Sequence, residues 1–480
     1  MRVCAPIGGR KQEWIAKEVS ETMANRLFSR TDRVRLRDEA VVDFKHGFIN
    51  RREFMRRVTA VGVSAALAGQ IADAVAAPAP VPARSRWARQ ADATVTIIKG
   101  PHHPDDAKFW DVMKAEFEAA NPGIVLNPTF FKWQTMDAEL TAGYASEPAD
   151  VVYLVDLVLA KFVNAGQVAD ITAWVDAEDF ASERAAIAPF TWDVTRFDDK
   201  QYGVGALGAA FGIFYNTDLL AAAGITEFPQ TRDALVEAAK ALTTDQVWGF
   251  QFRDSFADYA HWDWLPYIHN DEADVMTGDL SAQNLDPLAG PGTQYLADMR
   301  LVHKVSPEAG AYDWNGSRAL FEAGRIAILH DEYPQAVVWE VDKPLPFGLD
   351  VAQAPATTEG GKQSTMGNFG YATISEKSAN QEAAWEVVKW WTSADVINAY
   401  AAQIGLQTVR IDSSPPYASE LLQKVQELYV PAVQGIQVTE NYYEMLTNLW
   451  PEVEKAYRGE QSGADAMVKA GEIVNGLIGS

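Results

Sequence analysis

Between Thr94 and Asn164 the chain alternates short β-branched runs with segments of helical period, and few folds accept that pattern. Thr94-Val95-Thr96-Ile97-Ile98 reads as a strand closed by Gly100-Pro101. Phe109, Val112, Met113, Glu116, Phe117 and Ala120 recur at helical spacing and predict a helix over 107–120, stopped by Asn121-Pro122-Gly123. A second strand follows over 124–131, a helix over 136–145, a third strand at Val151–Val155 and a helix over 158–164. The third strand is apolar throughout, as a strand covered on both faces must be. The order βαβαβ predicts an open, doubly wound α/β lobe.

Charge divides the chain unevenly. Residues 1–91 hold 17 of the 41 basic residues and 9 of the 65 acidic ones, leaving 24 and 56 for the remainder. The basic leader contains Asn50-Arg51-Arg52-Glu53-Phe54-Met55-Arg56-Arg57 and then the apolar run 58–69. Paired arginines with Phe54 one residue beyond resemble a twin-arginine (Tat) export signal. The apolar run is too short to span a bilayer, which takes roughly 20 residues, so no anchor is expected. Cleavage is expected among the small residues of 72–91, before or within the extended segment Ala77-Pro78-Ala79-Pro80-Val81-Pro82.

The acidic remainder, about 390 residues, exceeds one core and calls for two lobes. Its charge repels nucleic acid. The one cysteine, Cys4, lies in the leader, so the body has neither disulfides nor thiol chemistry. Further along, 202–214 reads as a strand crossing between lobes, and Thr231 caps a helix bearing Leu235, Ala238, Ala239 and Leu242 on one face. Residues 326–329 read as a strand. Ser378 and Gln381 have capping-box spacing before a helix through Trp391. The tail reads as helix over 421–429 and 442–457, with Pro451 a kink or break.

Several segments, in order, resemble the extracellular solute-binding proteins of ABC importers, in the sugar-binding branch that includes maltose-binding protein. They include Phe117-Glu118-Ala119-Ala120-Asn121-Pro122-Gly123-Ile124, Pro148-Ala149-Asp150-Val151-Val152-Tyr153-Leu154, Phe214-Tyr215-Asn216-Thr217-Asp218-Leu219-Leu220 and Phe321-Glu322-Ala323-Gly324-Arg325-Ile326-Ala327-Ile328. The resemblance implies two doubly wound α/β lobes joined by crossing hinge segments, the type II periplasmic binding protein fold. The implied lobes are 92–208 with 371–408, and 209–370 with 409–480, after a leader at 1–91. The crossings fall near 205–211, 370–373 and 405–410. Where the family often has Pro and then a polar residue, Gly205-Ala206-Leu207-Gly208 has neither.

A sugar needs flat rings for its CH faces and carboxylates, amides or Arg for its hydroxyls. Trp262 and Trp264 stand in the segment richest in aromatic residues. Asp156 follows the third strand at its C-terminal end, where doubly wound lobes bind ligands, and His102 and His103 follow the first strand at the corresponding end. Adjacent histidines with no third ligand nearby do not make a metal site. Trp133 reaches the cleft from the loop after the second strand. Asp331, Glu332 and Tyr333 end the strand at 326–329, where the resemblance implies an aromatic contact, Tyr333. Asn368, Phe369 and Gly370 precede the return crossing, where glycine lets backbone approach a ligand closely. The resemblance adds Tyr443 or Tyr442 as a late stacking ring. Arg410 is a further candidate.

The reading is a monomeric, soluble periplasmic binding protein, exported by the Tat machinery, without catalysis or cofactor. It takes a sugar or polyol and delivers it to a membrane permease. Two other classes compete: a binding protein for a glycerol phosphodiester, polyamine or iron, and a secreted glycoside hydrolase with paired carboxylates. No nucleophile elbow, metal-ligand helix or phosphate loop supports an enzyme.

Overall fold

The computed structural model of the chain describes residues 93–428 and 433–478. The leader, with its paired arginines and cleavage region, lies outside the described residues. Two compact units divide the described chain: one holds 108–125, the other 93–107 and 126 onward. Helix α1 (Asp106–Ala120), which falls in the first unit from Lys108 on, carries an i,i+4 pair between Lys114 and Glu118 at 3.7 Å. It ends where the Asn121 N–H bonds the Phe117 carbonyl at 2.9 Å and Gly123 takes φ +110°, which favours glycine.

The second unit is organised on one nine-stranded sheet. Its strands are β1 (Ala93–Lys99), β2 (Ile124–Phe130), β3 (Val151–Val155), β6 (Val204–Asn216), β7 (Ile328–Glu332), β8 (Leu349–Ala352), β9 (Thr365–Ile374), β10 (Gln407–Thr408) and β11 (Val433–Gln434). A separate ribbon pairs β4 (Arg196–Phe197) with β5 (Lys200–Gln201). The order along the main path is β10-β6-β9-β3-β1-β2, with β7 and β8 on the far part of β6 and β11 on β9. β1 and β3 run parallel, Ile97 beside Val151. β3 then meets β9 antiparallel, from Val151 opposite Ile374 to Val155 opposite Gly370.

β6 is the long member. Its first half pairs with β9 from Val204 opposite Ala372 to Phe211 opposite Met366, with a register irregularity between Gly205 and Leu207. Its second half pairs with β7, Phe211 opposite Glu332, and with β8, Ile213 opposite Ala352. β10 lies beside Leu207 and Gly208. The three segments expected to cross between lobes therefore run side by side. The sheet is mixed rather than parallel, because β6 reverses direction against each of its neighbours.

The helices follow the sequence closely. α2 (Met136–Ser146) and α3 (Asp156–Asn164) flank β3; α4 (Arg232–Leu242) starts at Thr231, whose hydroxyl accepts the Ala234 N–H. α5 (His261–His269), α6 (Gly290–Leu301) and α7 (Trp314–Glu322) precede β7. α8 (Gln381–Thr392) and α9 (Ala394–Ile404) lead to β10. α10 (Glu420–Leu428), α11 (Tyr442–Tyr457) and α12 (Gly463–Leu477) close the chain, α11 and α12 packing together and on α6.

Two local expectations are corrected. Ser378 does not cap α8: its hydroxyl donates to Asp150, and the helix begins three residues on, where Gln381 Nε2 donates to the Glu376 carbonyl at 2.8 Å. Asp150 is a buried acceptor that competes for the serine. Pro451 does not break α11, which continues from Tyr442 to Tyr457 around it.

Burial is densest under β6, β7 and β8. Phe214 meets Trp339 edge-on at 5.0 Å, Trp339 meets Phe321 at 5.0 Å, and Leu422 and Val425 of α10 complete the cluster. Fully burying one such side chain contributes about 1.5–3 kcal/mol. This cluster holds β7 and α7 in place, and both present side chains to the cavity described next.

Candidate functional site

At the C-terminal end of β1, Lys99 is buried and uses all three ammonium donors: to the Gly100 carbonyl at 2.6 Å, Asp106 Oδ2 at 2.7 Å and His102 Nδ1 at 3.3 Å. Burial lowers the Lys99 pKa, and Asp106 opposes the shift. His102 is driven well below its ordinary pKa by burial and then by Lys99, so its ring is neutral at pH 7. Since Nδ1 accepts from the ammonium, the network assigns the proton to Nε2. The His102 ring stands edge-on to Trp133 at 4.9 Å and to Tyr153 at 5.7 Å.

Trp133 follows β2. Its Nε1–H donates to the Pro101 carbonyl at 2.6 Å, and its ring covers Gly100 so closely that a Cβ there would lie 2.3 Å from it. His103 accepts the Asp105 N–H on Nδ1 at 3.0 Å and donates through Nε2 to Asp342 Oδ2 at 2.8 Å, a partner 239 residues away. Tyr259 donates its hydroxyl to the Trp133 carbonyl. Its own backbone is left-handed, φ 58°, a conformation a bulky residue holds only when its surroundings fix it.

The opposite wall is built on β6, β7, α5 and α7. Trp262 stacks on Phe211 at 4.9 Å and 6°. Trp314, Arg318 and Glu322 recur every four residues on α7, which Asp313 caps by accepting the Gly316 N–H at 2.7 Å. Two guanidinium groups approach the Trp314 ring, Arg318 at 4.5 Å and Arg253 at 4.8 Å, and the ring donates Nε1–H to Asp331 Oδ1 at 2.8 Å. Arg253 is paired with the buried Asp263, which also faces His330 at 3.0 Å. Burial would raise the Asp263 pKa, but Arg253 and His330 hold it far below the carboxylate range. Burial pushes the Glu332 pKa up, Arg318 counteracts, and Asp331 adds to the rise.

These walls line a half-open cavity of about 570 Å³, with His102, His103 and Trp133 from the first wall, Phe211, Tyr259, Trp262, Trp314, Arg318, Glu322 and Glu332 from the second, and Asn368 as a further lining residue. The size suits a small-molecule ligand. Among the described residues no group of three or more His, Cys, Asp or Glu side chains is arranged to hold a metal ion.

Five of the residues singled out in the sequence come together here: His102, His103, Trp133, Trp262 and Asn368. The others lie elsewhere. Trp264 is fully buried and donates to Thr293 at 2.9 Å, locking α5 to α6, because its neighbour in the helix faces the cavity and it therefore faces away. Tyr333 points to the other side of β7 from Glu332 and donates to the Ala352 carbonyl at 2.7 Å within the core. Asp331 stands behind Arg318 and Trp314. Asp156 is buried and accepts the Phe369 N–H at 3.0 Å and the Tyr371 hydroxyl at 2.6 Å; burial raises its pKa to about 7 against those two hydrogen bonds. The Phe369 ring packs on Phe190 at 4.9 Å. Gly370 makes room for the Tyr153 ring, which a Cβ would approach to 1.9 Å, rather than for a ligand. Tyr443 is half-buried against Phe256, Tyr442 is buried, and Arg410 is engaged by Glu183 and Asp412.

Phe211, Tyr259, Trp314, Arg318 and Glu322 were not foreseen, and Glu332 was expected only as a neighbour of Asp331 and Tyr333 at the strand end. The four-residue spacing of Trp314, Arg318 and Glu322 was a readable sign of a polar and aromatic helix face.

Comparison with known proteins places this architecture in a class. Residues 100–397 match the family of bacterial extracellular solute-binding proteins, and the chain belongs to that family. A protein of Brucella abortus (strain 2308), whose name says only that it is a binding protein, is 25% identical over 321 residues, 64% of this chain and 74% of that one. Maltose-bound MalE3 of T. maritima superposes with a TM-score of 0.72 at 22% identity, covering 80% of this chain and 100% of its own. A ribitol complex of an ABC transporter solute-binding protein from Agrobacterium radiobacter K84 gives 0.67 at 19% identity, covering 81% and 99%. The fold is thus the two-lobed α/β fold of type II periplasmic binding proteins. Among the described residues no helix is long and apolar enough to cross a membrane.

Proposed function

We propose that the chain is the substrate-binding component of an ABC importer, which closes two lobes over a sugar or polyol and presents the closed form to a membrane permease. The observation that carries this reading is the cavity of about 570 Å³ whose walls alternate indole and phenol rings with hydrogen-bonding groups. Rings such as Trp133 and Tyr259 offer faces to sugar CH groups, and His102 Nε2–H, Arg318 and Glu332 offer partners to hydroxyls. Among the described residues the buried Asn368 Oδ1 has no hydrogen-bond partner, and a ligand hydroxyl would supply one.

In this reading the lobes are 92–208 with 371–408, and 209–370 with 409–480, and β6, β9 and β10 carry the chain between them. The His103–Asp342 and Tyr259–Trp133 contacts then run from lobe to lobe. The protein performs no reaction, is exported through the twin-arginine route to the periplasm, and acts there as a monomer.

A thermal-shift panel of sugars, polyols, polyamines and phosphodiesters on the purified protein tests the reading. A ligand at 100 times its dissociation constant stabilises by about 2.7 kcal/mol and raises the midpoint by a few degrees. A shift confined to one sugar or polyol class is expected; shifts confined to charged solutes would replace it.

A further inference from the structure

Arg318 and Glu332 meet on the cavity wall with complementary capacity left over. Of the five guanidinium N–H groups, three are engaged: Nε with Asp331 Oδ2 at 2.7 Å, and Nη2 with Asp331 Oδ1 at 2.8 Å and Glu332 Oε1 at 3.0 Å. Nη1 donates to nothing among the described residues, and Glu332 Oε2 accepts nothing. Neither atom is among the buried side-chain atoms without a partner, so both are open, and both residues line the cavity.

We propose that this Arg318–Glu332 edge selects the charge of the ligand: it clamps two neighbouring hydroxyls of a neutral sugar or polyol and rejects the anionic counterpart. The inference rests on the cavity being the solute site and names the ligand class more narrowly. A hydroxyl both donates and accepts. One hydroxyl oxygen takes a hydrogen bond from Nη1 while its neighbour donates to Oε2. A carboxylate or phosphate only accepts, so it satisfies Nη1 but faces Oε2 with like charge. An ammonium only donates, so it satisfies Oε2 but faces the guanidinium. Only a neutral hydroxyl pair meets both atoms, so a charged sugar is penalised where its carboxylate or ammonium takes the place of one member of that pair.

The surrounding charge tilts the balance further against anions. Arg318 and Arg253 are matched by three carboxylates, those of Asp331, Glu332 and Asp263. Glu322 adds another carboxylate to the wall, its partners being Trp339 Nε1 at 2.9 Å and the exposed Lys343 at 3.2 Å. No lysine lines the cavity. An incoming anion thus finds no uncommitted positive charge, and burial makes that deficit costly.

The test is titration calorimetry on matched series: glucose, glucuronate and glucosamine; galactose, galacturonate and galactosamine; maltose and maltobionate. In at least one series the neutral member is expected to bind, with the anionic member weaker by about tenfold or more, the size of one lost charge-assisted hydrogen bond. Glu332→Gln keeps an acceptor for Nη2 while removing the charge, and is expected to narrow the neutral-to-anion ratio by about tenfold with little change in the unliganded melting midpoint. A merely structural role would lower both affinities and leave their ratio alone. An anionic member binding as tightly as its neutral partner in the unmodified protein overturns the proposal, whatever the variant does. An unchanged ratio in the folded variant overturns it as well. Silence across all series instead removes the sugar reading on which it stands, a result distinct from either.

Discussion

Asp156 shows how one residue can be noticed in a sequence and yet serve another purpose. Its position after β3 matched the place where doubly wound lobes hold ligands, but its carboxylate is committed to Phe369 and Tyr371 of β9. With a folded-state pKa near 7 against 3.8 unfolded, the folded protein binds the proton more tightly. Its contribution to stability is therefore fully present below pH 3.8 and is lost as pH rises towards 7, at up to about 1.4 kcal/mol per pH unit. Asp156→Asn should flatten the stability profile between the unfolded pKa of 3.8 and the folded pKa of about 7 in chemical denaturation; an unchanged slope would mean the group does not titrate there. Gly370 had the same history. A glycine at the return crossing leaves backbone room for a ligand, but Tyr153 occupies that room. Gly370→Ala should cost about 1–3 kcal/mol, measured as a fall in denaturation midpoint, because a packed ring must move.

At the level of elements, the sequence was legible wherever periodicity and punctuation agreed. The strands and helices from β1 to α3 and the Thr231 cap of α4 lie within a few residues of their expected limits. What failed was long-range competition, which no local pattern reports. Ser378 had capping-box spacing, and a distant aspartate took its hydroxyl. Which face of an element looks into the cavity was equally hidden. Trp262 and Trp264 were indistinguishable as letters, but the helix turns one to Phe211 and the other to Thr293. Likewise Glu332 and Tyr333 fall on opposite faces of the end of β7. The α7 face of Trp314, Arg318 and Glu322 was visible in principle, since its spacing is helical, but nothing in the sequence said that it met β7 there.

For the whole molecule, two contacts join distant segments at the cavity: His103 with Asp342, and Tyr259 with the Trp133 carbonyl. They join residues 239 and 126 positions apart, which is why neither could be foreseen. If they bridge the lobes, Tyr259→Phe combined with Asp342→Asn should open the unliganded protein, raising its radius of gyration in solution scattering. The same double variant should speed ligand release by about tenfold, as expected for removing one or two hydrogen bonds from the closed state alone. A scattering profile identical to that of the unmodified protein would show the contacts to be ornamental.

β6 has a consequence for how such a molecule can move. The strand is continuous for 13 residues and hydrogen-bonded along both edges, to β9 and β10 first and then to β7 and β8. Folding it sharply would break ladders on both sides, whereas winding it about its own length keeps them, and sheets already twist in that sense. The irregularity between Gly205 and Leu207 is where the winding would concentrate. Motion then has essentially one coordinate, an angle of torsion, and a single distance between two labels, followed in time, would describe it.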